Sequence, residues 1–160
     1  MSETLTFKIL RVKDTAFSVN ENLHAATLSR EKNQVRIDCD LKYNTDANLV
    51  MLELNAKYFF NNEDGTEQEF AGMTVHNSYE IANVIRFMDN DNLYLPTHLL
   101  IMLVSISISH TRALFAKSLD GTAFNGIILP VIDPAGFSRH VFKEMFEHED
   151  LKKIDNTKGS

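Results

Sequence analysis

From Val35 to Tyr43 the chain alternates without a break: Val35, Ile37, Cys39, Leu41 and Tyr43 are interleaved with Arg36, Asp38, Asp40 and Lys42. Successive strand side chains project to opposite faces, so this stretch makes a strand with one apolar and one charged face. Leu49 to Phe60 repeats the pattern. Val50, Leu52, Leu54, Ala56, Tyr58 and Phe60 share one face, while Glu53, Asn55 and Lys57 share the other. Leu5 to Val12 is a further strand, with Leu5, Phe7 and Ile9 on one side, and Glu67 to His76 is a fourth. The last follows a turn at Asn61 to Thr66, where Asp64-Gly65 is the hairpin signal. Thr15 to Lys32 is polar and reads as a loop with short strand pieces. Strands of this kind belong to an antiparallel sheet with one wet face and one face that another layer must cover.

The pattern that follows supplies the cover. Tyr79 to Phe87 reads as a short helix, ended by Asp89-Asn90-Asp91-Asn92. Leu93-Tyr94-Leu95-Pro96 reads as an extended crossover, because proline restricts the residue before it. A long helix is expected from Thr97, as N-cap, to Leu119, just before Asp120-Gly121. Ile106-Ser107-Ile108-Ser109 alternates as a strand would, but the flanking apolar runs favour helix. The first half of this helix is apolar almost all round, which requires burial on more than one side. Phe124 to Val131 is an extended apolar run around Pro130, and Asp133-Pro134 opens a second helix as N-cap and N1. Phe137, Val141 and Met145 form its apolar stripe, widened by Phe142 and Phe146. Strands first and helices second define an α+β fold: a four-stranded antiparallel sheet with two C-terminal helices on one face. The expectation is one domain over residues 1–149 and a flexible polar tail over 150–160.

Charge narrows the partners. The chain carries a formal net charge of −6, against the clustered cations that non-specific nucleic-acid binding needs. The single cysteine, Cys39, allows no internal disulfide and sits where a small buried hydrophobe belongs. The most apolar run, Leu99 to Ile108, is interrupted by Ser105 and Ser107 and falls short of the ~20 residues that cross a bilayer. The segment Met1 to Arg11 has no secretory pattern, so the chain reads as cytoplasmic.

Candidate chemistry is sparse. His140, Glu144 and His148 fall at i, i+4 and i+8, but the outer face of an amphipathic helix explains them better than a metal site does. Ser105, Ser107, Ser109 and His110 lack a nucleophile elbow and suit a packed helix. Asp38 and Asp40 lie between Arg36 and Lys42, as solvated cross-strand charges do. No phosphate-binding loop or dinucleotide fingerprint is present. The reading is a non-enzyme with no metal and no cofactor. The more telling residues are apolar ones on segments rich in breakers. These are Tyr94 and Leu95 in the crossover, and Phe124 and Ile127 to Leu129 between Gly121, Gly126 and Pro130. Such residues can line a groove open to an extended chain.

The stretch from Arg112 to Phe137 resembles the signature region of the SecB family of protein-export chaperones. Gly121-Thr122, then Phe124, then Leu129-Pro130-Val131 fit its long helix, apolar extended stretch and second helix. Ala123 stands as an insertion, and Asn125 stands where the family favours proline. The resemblance implies an ATP-independent holdase that binds unfolded polypeptides or preproteins, acting in export or as a dedicated chaperone of a toxin–antitoxin pair. The polypeptide groove would fall on Tyr94, Leu95, Phe124, Phe137, Val141 and Phe142. It implies a homotetramer, a dimer of dimers with the long helices packed between dimers through Leu99, Leu103 and Ile106. It also implies a SecA-docking surface on the acidic outer face, where Asp38, Asp40 and Glu53 lie. The competing reading is a non-catalytic α+β module for a small ligand or a scaffold.

Overall fold

The computed structural model describes residues 5–23 and 33–158. Four strands, β1 (Phe7–Val19), β2 (Asn33–Asn44), β3 (Leu49–Asn61) and β4 (Glu67–Ile81), form an antiparallel sheet in the order β1-β4-β3-β2. A short hairpin, β5 (Met88–Asp89) and β6 (Asn92–Leu93), leads into the helices α1 (Thr97–Leu119), α2 (Pro134–Val141) and α3 (Lys143–Lys158). The class is α+β, as the alternation requires.

Strands β2 and β3 pair from Asn33↔Phe60 to Asn44↔Leu49, and each side chain lies on the face its alternation assigns. Two strands run further than expected. Strand β1 continues past Val12 to Val19 because register shifts between Ile9 and Arg11 and between Asp14 and Ala16 insert extra residues that break the alternation. Strand β4 runs past His76 to Ile81, so Tyr79 to Ile81 are strand, and only Val84 to Phe87 form a helical turn, of 3-10 type. The loop expected over Thr15 to Lys32 is strand as far as Val19, and its stretch 24–32 lies outside the described residues.

Helix α1 has the expected ends, but Pro96 takes the N-cap position that was expected of Thr97. The Thr97 backbone N–H donates instead to Glu149 Oε2 at 2.8 Å, so a carboxylate from α3 satisfies the start of α1. At Asp133 the reading holds: its carboxylate accepts from the Ala135 and Gly136 N–H groups, with Pro134 in the first turn. The second helix is split at Phe142, whose φ of −111° and ψ of 43° interrupt it. The segment expected as a polar tail continues α3 to Lys158, where Thr157 Oγ1 donates to the Lys153 and Ile154 carbonyls.

The dry face of the sheet and α1 enclose two apolar clusters. The first joins Leu52, Leu54, Tyr79 and Ile81 to Leu95, Leu99, Leu103, Ile108 and Phe146. The second joins Tyr58, Phe70 and Met73 to Phe115, Leu119, Phe124 and Leu129. Between them runs a polar strip. Tyr79 Oη shares a 2.6 Å hydrogen bond with Ser107 Oγ, and His110 Nδ1 lies 2.8 Å from Asn77 Oδ1.

Candidate functional site

A concavity lies beside the second cluster, where α1 gives way to the connector that leads to α2. Gly121 and Gly126 take positive φ values of 79° and 90°, which turn the chain sharply across the end of the sheet. The connector then runs extended, and its carbonyls are pinned. Tyr58 Oη donates to the Ile128 carbonyl at 3.0 Å, and Arg112 Nη2 donates to the Pro130 carbonyl at 2.7 Å. Between connector and sheet lies a groove of about 790 Å³ lined by Asn33, Val35 and Tyr58 on one side and by Ala123 to Ile128 and Pro130 on the other. Among the described residues, no lining residue carries a formal charge. Ile128 at its rim is 61% exposed, and Val131 just beyond is 90% exposed. Burial pushes the Tyr58 hydroxyl up to about pKa 12, with nearby Arg112 opposing the shift, so it stays a hydrogen-bond donor at any ordinary pH.

The structure divides the six residues expected to line a polypeptide groove. Leu95 and Phe124 are 2% and 1% exposed and belong to the two cores. Phe124 still forms the floor of the groove. Phe137, Val141 and Phe142 are half-buried and pack from α2 onto the first cluster, with Met145 beside them. Tyr94 stacks on the His148 ring, with centroids 3.8 Å apart, and His148 Nε2 meets Asp89 Oδ2 at 2.8 Å. On the crossover side, then, α2 and α3 lie packed against the first cluster. Val35 and Tyr58, which line the observed groove, were not singled out from the sequence. Each sits on the apolar face of its strand, and only the strand pairing, Val35↔Tyr58, brings them beside the connector.

The residues expected between dimers also divide. Leu99 and Leu103 are fully buried against the chain's own sheet, because they lie on the side of α1 that faces Leu52 and Tyr79, and this corrects their expected outward placement. Ile106 is half-buried, and Met102, 46% exposed, joins it on the outward side. Asp38 and Asp40 are exposed on the outer sheet face, as expected. Glu53 lies there too, but Lys42 Nζ and His76 Nε2 hold its carboxylate at 3.1 and 2.7 Å. The Lys42 hydrogen bond is the main cause that lowers its pKa below the ordinary carboxylate value.

The other polar candidates have structural employment. Ser109 Oγ donates to the Ser105 carbonyl, and Thr111 Oγ1 to the Ser107 carbonyl. The break at Phe142 puts His140 on a different helix from Glu144 and His148. Cys39 is buried, and burial, with Asp40 and Glu53 adding to it, raises its thiol to about pKa 12. That thiol is unreactive in the folded chain.

No family model and no curated protein matches this sequence. Solved structures do match in shape. A SecB-like chaperone of Mycobacterium tuberculosis, in complex with a ChAD peptide from an antitoxin, superimposes with a TM-score of 0.53 at 7% identity, covering 79% of this chain and 90% of that one. The chain has a distant SecB-like fold. A protein of unknown function from Streptococcus agalactiae aligns over 80% of this chain and 99% of its own, with a TM-score of 0.35 and 12% identity.

Proposed function

We propose that this chain is a polypeptide-binding chaperone that works without nucleotide and holds unfolded segments in the groove beside the helix connector. The observation that carries this reading is the make-up of the groove: about 790 Å³ walled by uncharged side chains, in a chain with 24% charged residues. A wall without charge accepts apolar segments of many sequences, and the charged remainder keeps the complex in solution. The hydrogen bonds from Tyr58 and Arg112 fix the connector in advance, which lowers the ordering cost of binding. The SecB-like fold supports the same reading.

The half-buried Tyr94, Phe137, Val141 and Phe142 form a second contact region, reached when α2 and α3 move off the first cluster. Leu95 supports this region from beneath, and Phe124 supports the connector groove as its floor. The assembly we propose is a homotetramer in the cytoplasm, with Met102 and Ile106 of α1 against a second copy and Leu99 and Leu103 stiffening the helix behind them. Export, with SecA docked near Asp38 and Asp40, is one use of such a holdase. The neighbouring structure with an antitoxin peptide favours the other, a chaperone dedicated to one client. A small-ligand module is the rival, and it would fill the groove with a compact apolar molecule.

The test is suppression of aggregation of slowly folding proteins by stoichiometric amounts of the chain, without ATP. Suppression is expected, and Ile128→Asp, at a rim position 61% exposed, is expected to abolish it without unfolding the chain. Full suppression by the folded variant would remove the groove from the mechanism.

A further inference from the structure

The outer face of the sheet was expected to be an acidic surface, and its charges are instead divided by strand. On β3 and β4, Glu53, Glu67 and Glu69 have cations beside them, while Asp38 and Asp40 of β2 form no ion pair with another described residue. Arg36 meets Glu67, Lys42 and His76 meet Glu53, and across the sheet Lys57 meets Glu69. On β1 the outward positions are Lys8, Arg11 and Lys13, placed opposite Glu80, Ser78 and His76 of β4. All three cations are exposed, and none forms an ion pair with another described residue. Asp14, the nearest acid in sequence, pairs with Val75 and so faces the opposite side.

We infer that this strip docks an acidic, extended polypeptide segment of a partner protein. The register shift after Ile9 is what aligns it, because the extra residue Leu10 lets Lys8 and Arg11 share a face although they are three apart in sequence. Lys8 to Lys13 lie opposite Glu80 to His76, four ladder steps or ~13 Å, and an extended chain with an acid at every second residue presents carboxylates every ~7 Å. Three carboxylates therefore match the three cations. The width of the strip decides the kind of partner. Strand order puts Asp38 and Asp40 of β2 three strand spacings from β1, about 14 Å away. A broad polyanion such as duplex nucleic acid or an anionic membrane would overlap those acids and meet the field of a chain with net charge −6. A single extended segment lying along β1 would not. This surface is on the opposite side of the sheet from the groove, so it does not depend on the chaperone reading.

The test uses the full chain and a labelled peptide of alternating glutamate and threonine, followed by fluorescence anisotropy. Binding is expected to weaken at least about tenfold on adding about 0.5 M salt, and by a similar factor in Lys8→Glu/Lys13→Glu. A peptide of alternating lysine and threonine should then prefer the reversed variant. Asp38→Asn/Asp40→Asn should leave acidic-peptide binding intact or improve it. Should the double reversal fail to fold, Lys13→Gln alone should weaken binding about threefold. Unchanged affinity in the folded reversal variant would overturn the inference. Equal binding of duplex DNA or anionic vesicles would overturn it too.

Discussion

The two halves of the core are built from the same sheet and the same helix, yet one is closed and the other open. Over the first cluster, α2 and α3 lay Phe137, Val141, Met145 and Phe146 onto Leu99 and Leu103 and lock the lid with polar contacts. Glu149 caps α1, and His148 bridges Asp89 and Tyr94. Over the second cluster, among the described residues, lies the extended connector, turned by two glycines and held at two carbonyls. A regular helix presents a side chain every 1.5 Å of its length and can tile an apolar surface. An extended connector rises more than twice as far per residue and leaves half its side chains facing away. The exposure of Ile128 and Val131 and the groove itself follow from that difference.

The sharpest way to break this comparison is a charge in the closed half. Leu103→Asp buries an unpaired carboxylate at a position with no exposure, and the chain should lose more than about 4 kcal/mol and unfold, as circular dichroism would show. A variant that stays folded with only its oligomeric mass reduced would place Leu103 at a subunit surface instead. In the open half the effects should separate by depth. Phe124→Ala should cost about 3–5 kcal/mol in chemical denaturation. Ile128→Ala, on the same connector, should stay within about 0.5 kcal/mol.

Glu149 sharpens the account of the lid. Partial burial works to raise its pKa, but hydrogen bonds from the Thr97 backbone and Lys153 outweigh burial and lower it from 4.5 to about 2. A group with a depressed folded-state pKa stabilises the fold above its unfolded value and loses that contribution as pH falls through the folded one. The lid contact should therefore hold at neutral pH and weaken between pH 4.5 and about 2. Because the side chain is 31% exposed, screening reduces the expected cost of Glu149→Gln to about 1–2 kcal/mol. The wild-type and variant melting temperatures should converge at the acid end of that window, and parallel curves across it would contradict the capping role. Tyr79→Phe should cost about 1 kcal/mol, from leaving Ser107 without its partner in the polar strip.

Sheet and helices were largely legible in the sequence because β2 and β3 repeat their period without interruption and α1 is marked by the apolar runs that flank Ile106 to Ser109. The parts that were not legible share a cause: one residue that breaks the period. The extra residues in β1 hid its length and its line of cations. Asn77, buried on the apolar face of β4, hid the continuation of that face to Tyr79 and Ile81. Phe142, apolar and in phase with the stripe, gave no hint that its backbone leaves the helix. The connector was legible as a binding segment from its glycines and apolar residues. Its opposite wall was not, since Val35 and Tyr58 meet it only through strand pairing. For the same reason the depth of Leu95 and Phe124 in the core was not legible, although Phe124 does line the groove as its floor.

The most direct test of the groove is to titrate an unlabelled, permanently unfolded polypeptide into the isotope-labelled chain and map the shifted backbone and methyl signals by NMR. The account predicts that the shifts concentrate first on Val35, Ile127, Ile128 and the amides of Ala123 to Gly126, with the outer sheet face around Asp38 and Asp40 unaffected. Shifts centred on the outer sheet face, with the connector silent, would contradict it.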